Sequence, residues 1–341
     1  MASSLDARFL YFYLFCFGEL SGCPTTEPLV GLADTWYTSE MAETRKHPNH
    51  YGEKDYRRVV DDSGPQRFLP GTSIEIVGDP GHRAPPRHVL FDFDGTLSLI
   101  REGWPNVMVP MMVEILQDTG TDETAETLHQ FVNDFVMQLN GKQTIYQMIR
   151  LAEEVERRGG TPEPPAEYKK RYHDRLMRKI DVRRQALSSG RVAPQQMLVP
   201  GSLEILQQLR ARDVQLYLAS GTDEQYVIEE ARLLGLDDYF GQRIHGAVDD
   251  YRTFSKAAVI QRILGENGVD GRLLLGFGDG YVEIQNVKDV GGSAVAVASD
   301  EAGRSGKVDV WKRDRLIGVG ADYVMPDYRD SRQLLEHLWN G

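Results

Sequence analysis

Two aspartates lie two positions apart, directly after a short apolar run, in the segment Asp92-Phe93-Asp94-Gly95-Thr96. Side chains two apart on an extended chain point the same way, so the carboxylates of Asp92 and Asp94 share one side. Neighbouring carboxylates repel each other unless a cation or a proton lies between them, and such oxygen ligands suit Mg²⁺. Gly95 permits a sharp turn, and Thr96 offers donors to an oxyanion. Because Asp and Gly are also common in turns, a strand-ending turn is the alternative.

A hydroxyl and a lysine follow later in the chain, at positions suited to holding phosphate. Ser220 and Gly221 come directly after the apolar run 214–219, and a hydroxyl beside free N–H groups at a helix start can hold a phosphate oxygen. Thr222 is expected to cap that helix. Lys256 lies at a predicted helix start, where a cation is disfavoured. Its place there indicates a use, such as neutralising phosphate and carboxylate charge.

A further acidic pair stands in the segment Gly278-Asp279-Gly280-Tyr281-Val282-Glu283, again after an apolar run. Asp279 suits direct magnesium binding. Glu283, one helical turn further on, either contacts the ion through water or orients Lys256.

The elements that must position these residues are apolar strands alternating with amphipathic helices. Such alternation predicts an α/β fold with a Rossmann-like parallel sheet covered on both faces, and ligands of such sheets bind beyond the carboxyl ends of the strands. The predicted strands are 73–77, 88–91, 214–219, 242–245, 272–277, 293–298 and 323–325, and the predicted helices of the sheet region are 201–211, 223–234, 255–266 and 331–339.

Between residues 98 and 198 the pattern is helical, with predicted helices at 105–118, 123–139, 144–157 and 165–187. We therefore expect an N-terminal extension over 1–84, an α/β core over 85–99 and 198–341, and an inserted α-helical cap domain over 100–197.

The joint order of these motifs resembles the haloacid dehalogenase-like (HAD) hydrolase superfamily, in particular its phosphatases with a helical cap, similar to phosphoglycolate phosphatase and β-phosphoglucomutase. The resemblance covers roughly residues 87–340. It implies that Asp92 is the nucleophile that forms an aspartyl-phosphate, and that Asp94 protonates the leaving oxygen and then activates water. It also implies that Mg²⁺ binds Asp92, the backbone carbonyl of Asp94 and Asp279, with Glu283 where the family usually has Asp. Phosphate-binding roles are implied for Thr96, Ser220, Gly221 and Lys256.

Family members with such a cap close a loop over the leaving group of the substrate. The segment 140–144 between two predicted helices is the matching candidate, with Lys142 and Gln143 as expected substrate contacts, and an ordinary turn with Gly141 as the C-cap is the alternative. Arg101, Glu102 and Trp104 are placed to line the entrance to the site.

Composition limits the partners of the protein. The 341 residues carry a formal net charge of −12, which disfavours nucleic acid and acidic membranes. We expect a small phosphorylated metabolite as the partner, no nucleic acid and no membrane, and the sequence does not indicate an oligomeric state. The two cysteines, Cys16 and Cys23, exclude a disulfide framework for the rest of the chain.

The N-terminal segment leaves the localisation of the protein open. The apolar run 9–17 is too short to span a membrane as a helix. It is compatible with a signal-peptide core, and Cys23 with a lipoprotein cleavage box, unless translation begins at Met41. We expect a cytoplasmic protein, with export or lipid anchoring as the alternative.

Together these features predict a Mg²⁺-dependent phosphohydrolase that cleaves a small phosphomonoester. The alternatives are a sugar phosphomutase with the same motifs and a non-catalytic module that binds a phosphorylated ligand. Asp94 favours phosphate ester chemistry, since family members that act on carbon–halogen or phosphonate bonds lack an acid at that position.

Overall fold

A mostly parallel sheet forms the centre of the fold in the computed structural model, which describes residues 58–60, 64–78, 84–248, 250 and 252–340. Within these residues eight strands form one sheet in the order β1-β2-β8-β7-β6-β3-β4-β5. Strands β3 to β8 are parallel to one another, whereas β2 pairs antiparallel with β8 and β1 pairs antiparallel with β2. The predicted α/β fold class is thus confirmed. The strands are β1 (Arg67–Phe68), β2 (Glu75–Ile76), β3 (His88–Phe91), β4 (Gln215–Asp223), β5 (Ile244–Ala247), β6 (Leu274–Gly278), β7 (Ser293–Val297) and β8 (Tyr323–Met325).

Both faces of the sheet are buried, which explains why its strands read as apolar runs rather than as alternating patterns. In β3, Val89 and Phe91 pack into one hydrophobic cluster and Leu90 into a second. Phe91 also stacks on Phe277 of β6, with ring centroids 4.8 Å apart.

Helices cover each face of the sheet. The face of Val89 and Phe91 is covered by α5 (Ser202–Arg210), α6 (Glu224–Leu233) and α11 (Ser331–Asn340). The face of Leu90 is covered by α8 (Lys256–Asn267), α9 (Tyr281–Asp289) and α10 (Val310–Gly318). A short helix, α7 (Asp237–Phe240), precedes β5.

Four helices occupy the region between β3 and β4: α1 (Pro105–Gln117), α2 (Ala125–Gln138), α3 (Thr144–Arg157) and α4 (Pro165–Ser188). They pack on one another through α1–α2, α3–α4, α1–α4 and α1–α3 contacts. Their bounds lie within two residues of the predicted ones, because helix-spaced apolar residues mark the buried stripe of each helix. The reading of this helical insert as a separate cap domain stays a prediction.

The antiparallel edge ties residues N-terminal to β3 into the sheet. Ile74 is fully buried, and the Glu75 carboxylate receives two hydrogen bonds of 2.6 Å from the Arg313 guanidinium of α10. The run 9–17, Cys23 and Met41 lie outside the described residues. In the part of the chain that the structure describes, none of the helices has the length and apolar character needed to cross a membrane.

Candidate active site

The register of the parallel strands brings three predicted site residues to one edge of the sheet. Phe91 of β3 pairs with Leu218 of β4 and with Phe277 of β6. Asp92 is the residue that follows this row, while Ser220 and Asp279 each follow it by two positions. Apolar strand residues thus fix the geometry, and the polar residues project where the strands end.

These residues share one cavity between the sheet edge and the helical insert. The predicted site residues that line it are Asp92, Asp94, Lys142, Ser220, Gly221, Lys256 and Asp279. Three predicted site residues do not line it: Thr96, Gln143 and Glu283. The cavity is also lined by Arg101, Glu102 and Trp104, which follow the first motif, the segment 92–96. The remaining lining residues are Gly95, Met108, Asn140, Gly141, Thr144, Gln147, Tyr172, Leu176, Thr222 and Glu301.

The first buried ion pair of the site joins Asp92 to Lys256, whose Nζ lies 2.9 Å from Asp92 Oδ1. Ser255 places this lysine, because its side chain accepts a hydrogen bond from the backbone of Ala258 and starts α8 at Lys256. Lys256 also pairs with Glu283, and the role of that glutamate, orienting Lys256 or contacting the ion through water, stays a prediction. Burial raises the pKa of Asp92; Lys256 opposes this rise and the charge of Asp279 adds to it.

Asp94 is held by groups from two other elements. The Thr222 hydroxyl donates a hydrogen bond of 2.8 Å to Asp94 Oδ2, and the Arg101 guanidinium, itself paired in two places with Glu230, lies 3.8 Å from Oδ1. Burial raises the pKa of Asp94 to about 7, although Arg101 opposes the rise. A carboxyl group with such a pKa can both give and take a proton near neutral pH.

The expectation that Thr222 caps a helix is wrong. Helix α6 begins at Glu224 with Asp223 at its N-cap position, and the Thr222 hydroxyl is used by Asp94 instead. The backbone N–H of Thr222 donates to Ser220 Oγ over 3.1 Å. The threonine therefore links two of the predicted site residues.

Thr96 is buried behind the cavity lining, where it makes two hydrogen bonds with Asp279. The Thr96 hydroxyl donates to Asp279 Oδ1 at 3.3 Å and accepts from the Asp279 backbone N–H at 3.0 Å. Gly95 closes over the same carboxylate with φ +75°, and a Cβ at this position would lie 2.3 Å from Asp279 Oδ2. Only glycine fits this turn without displacing Asp279.

The part of the chain that carries these residues matches a known protein family. The family described as "haloacid dehalogenase-like hydrolase" matches residues 86–291. The chain belongs to this family. The matched range contains all the predicted site residues, and it confirms the resemblance drawn from the motifs.

Solved structures of similar proteins include other members of the HAD family. A predicted phosphoglycolate phosphatase from Haemophilus somnus is 16% identical, with 73% of this chain and 97% of that chain covered and a TM-score of 0.49. A β-phosphoglucomutase from Clostridium difficile is 11% identical, with 75% and 97% covered and a TM-score of 0.49. A HAD family hydrolase from Deinococcus radiodurans, with bound phosphate and sodium, is 16% identical, with 75% and 97% covered and a TM-score of 0.45. No curated protein matches the sequence.

In this HAD hydrolase the loop between α2 and α3 approaches the sheet edge closely. A Cβ at Gly141 would lie 3.1 Å from the Cα of Gly280, and one at Gly221 would lie 3.0 Å from the carbonyl oxygen of Lys142. Gln143 is buried and donates a hydrogen bond of 2.8 Å to the carbonyl of Phe254. Gln143 therefore contacts the segment that leads to Lys256, while Lys142 lines the cavity. Gly141 is not the C-cap of α2, which is Leu139.

Two charged residues of the site were missed by the sequence reasoning. Glu301 lines the cavity, and Lys312 contacts both Glu301 and Asp279 from the first turn of α10. Glu301 follows the apolar run of β7, so the rule that polar residues after strands carry the chemistry also applies to it. Lys312 lies in a helix that the sequence did not predict, so no sequence signal pointed to it.

The donor groups of the site fit a magnesium ion. Asp92 and Asp279 line one cavity, and the charge of Asp279 contributes to the raised pKa of Asp92. Among the described residues no three His, Cys, Asp or Glu side chains are grouped so that they could hold a metal by themselves. Magnesium needs fewer, since it binds through one or two carboxylates and keeps several waters. Two carboxylates and a backbone carbonyl meet that requirement.

Proposed function

We propose that this HAD hydrolase is a Mg²⁺-dependent phosphatase that cleaves a small phosphomonoester through an aspartyl-phosphate on Asp92. The observation that carries the proposal is the shared cavity of Asp92, Asp94, Ser220, Lys256 and Asp279. We assign to these residues the roles of nucleophile, proton donor and phosphate ligands, which is the set that phosphoryl transfer requires.

The charge of the cavity supports the need for a metal ion. Five acidic side chains (Asp92, Asp94, Glu102, Asp279 and Glu301) line it, against three basic ones (Arg101, Lys142 and Lys256). A phosphate group brings further negative charge, which such a site would repel. Bound by Asp92, Asp279 and the Asp94 carbonyl, Mg²⁺ would neutralise charge on the phosphate oxygens. Lys256 and Ser220 would hold the remaining oxygens.

The chain's own residues then divide the work. A carboxylate oxygen of Asp92 attacks phosphorus, and the bond from phosphorus to the leaving oxygen breaks. Asp94 gives its proton to that oxygen. In the second step Asp94 takes a proton from the water that attacks the phosphorus of the aspartyl-phosphate, so that inorganic phosphate leaves and Asp92 is restored. The raised pKa of Asp94, about 7, suits both transfers.

The loop between α2 and α3 is the proposed substrate-binding element. Asn140 and Lys142 line the same cavity as Asp92 and Lys256, and we assign contacts with the leaving group to Lys142. The buried Gln143 holds the loop against Phe254, and we assign it a positioning role. The helical insert contributes polar residues to the lining (Asn140, Lys142, Thr144 and Gln147) beside apolar ones (Met108 and Leu176), and we infer a small phosphorylated metabolite as the substrate.

Phosphate release from a panel of sugar, acid and nucleoside phosphates tests the proposal. We expect release from at least one small phosphomonoester with MgCl₂ and its loss after EDTA, restored by added Mg²⁺. Isomerisation of a sugar monophosphate in the presence of a sugar bisphosphate, without phosphate release, would indicate a mutase. Ligand binding without turnover of any substrate, including p-nitrophenyl phosphate, would indicate a non-catalytic module.

A further inference from the structure

Lys312 is a second lysine that contacts the candidate metal ligand Asp279. It contacts one carboxylate oxygen, and Thr96 contacts the other. Lys312 Nζ lies 2.9 Å from Asp279 Oδ2 and 2.6 Å from Glu301 Oε1, and it also contacts the Ser299 hydroxyl at 3.4 Å. Its side chain is only 9% exposed. The ammonium group is therefore surrounded by oxygens of the site and nearly removed from water.

The position of Lys312 is fixed by the fold around it. Asp309 caps α10 by accepting a hydrogen bond of 2.9 Å from the backbone N–H of Lys312, which places the lysine in the first helical turn. A cation is disfavoured there by the helix dipole, so the carboxylates must hold it. Ser299 in turn donates to the carbonyl of Gly95 at 2.9 Å. The lysine is thereby connected to the turn of the first motif.

The two oxygens of Asp279 have different partners. Oδ1 accepts from the Thr96 hydroxyl, which is neutral, and Oδ2 faces the charged Lys312. A divalent ion bound by Asp279 would have to share this carboxylate with the ammonium group. Two positive charges that share one carboxylate repel each other strongly where water is largely excluded. Glu301 opposes that repulsion, because it attracts both Lys312 and the ion.

We propose that Lys312 is a positioning residue that shares Asp279 with the divalent cation and limits the affinity for it, while Glu301 raises that affinity. The inference rests on the metal site of the proposed function. It assigns opposite effects to two neighbouring residues: loss of the Lys312 charge strengthens metal binding, and loss of the Glu301 charge weakens it.

Isothermal titration calorimetry with MgCl₂, on the full chain without substrate, measures this directly. Lys312→Gln removes the charge but keeps a donor for the two carboxylates, and we expect its Kd for Mg²⁺ to fall about tenfold or more. Glu301→Gln should raise the Kd by about threefold or more. The matched control is Lys288→Gln, since Lys288 pairs with Asp322 at 2.7 and 2.9 Å and neither residue lines the cavity. Its Kd should equal that of the wild type.

The expected changes in Kd have opposite signs in Lys312→Gln and Glu301→Gln. A general loss of structure would instead raise the Kd in both variants. An unchanged or larger Kd in Lys312→Gln would overturn the inference while leaving the proposed phosphatase intact. If Lys312→Gln does not fold, Glu301→Gln decides, and an unchanged Kd there overturns the inference. Saturable binding in Lys312→Gln but not in the wild type would support it. Absence of binding in every variant would refute the metal site itself and the inference with it.

Discussion

The Thr222 hydroxyl donates a hydrogen bond of 2.8 Å to Asp94 Oδ2, joining the end of β4 to the first motif. This bond lowers the pKa of Asp94, against the burial that raises it to about 7. Thr222 thus helps to set the protonation of the residue to which we assign the proton transfers.

Replacement of Thr222 by valine keeps the shape of the side chain and removes this bond. We expect kcat to fall about fivefold, since one hydrogen bond contributes about 1 kcal/mol. The pKa of Asp94 should rise further, because the bond favours its charged form. Steady-state kinetics across pH would show both effects. The control is Thr127→Val, because Thr127 is an exposed threonine of α2. This variant should change neither kcat nor the pKa of Asp94.

The pH dependence of the reaction follows from the raised pKa of Asp94. The carboxyl group is protonated below about pH 7 and ionised above it, so its ability to protonate the leaving oxygen is lost as the pH rises. With an alkyl phosphate we expect kcat/KM to decline above about pH 7. Asp94→Asn should lower kcat by about 10²–10⁴ and abolish the decline. A poorly basic leaving group such as p-nitrophenolate should depend less on this proton, so an equally steep decline with p-nitrophenyl phosphate would argue against the role.

The close approach of the α2–α3 loop predicts a specific effect of one methyl group. Gly141 has φ +92°, and a Cβ there would lie 3.1 Å from Gly280 Cα. Gly141→Ala should therefore both destabilise the fold by about 1 kcal/mol and raise KM or lower kcat severalfold, because the loop moves away from the sheet edge. Thermal unfolding and steady-state kinetics measure the two effects.

Gly120→Ala is the matched control for this prediction. Gly120 also has a positive φ, +77°, yet a Cβ there would meet nothing within 4 Å. It should cost similar stability and leave the kinetics unchanged. Equal kinetic effects of the two alanine variants would remove the loop from the site.

The contact between the antiparallel edge and α10 predicts an effect on the stability of the fold. Glu75→Ala leaves the buried Arg313 without its two bonds of 2.6 Å from Glu75, and we expect a loss of about 3 kcal/mol in the free energy of unfolding. Urea denaturation checks this. Glu336→Ala breaks the exposed pair with Arg332 on α11 and should cost less than about 1 kcal/mol.

Much of the fold was readable from the sequence because its strands are buried on both faces. Such strands leave apolar runs, and residues 88–91 and 323–325 were bounded correctly at both ends. The residues at the ends of these runs were also predictable, since parallel strands must bring them to one edge. The helix Val310–Gly318 was not predicted, because three of its buried residues are cations: Lys312, Arg313 and Arg315. Because charged residues occupy these buried positions, the segment lacks the apolar stripe by which an amphipathic helix is recognised in a sequence.

The contacts that complete the site were beyond sequence reasoning for a different reason. Spacing alone could not distinguish a Thr222 that caps a helix from one that donates to Asp94, 128 positions away. In the same way, Glu301 and Lys312 belong to a charged stretch typical of a solvated loop. Only the folded chain brings that stretch back to Asp279.

The measurement that tests the central claim most directly is the activity of Asp92→Asn with any phosphomonoester that the wild type hydrolyses. Asn keeps the size of the side chain but is a far weaker nucleophile, so we predict that kcat falls by at least about 10³, with far-UV circular dichroism unchanged. Lys288→Gln, purified in parallel, should retain wild-type activity. Undiminished phosphate release by a folded Asp92→Asn variant would contradict the assignment of Asp92 as the nucleophile.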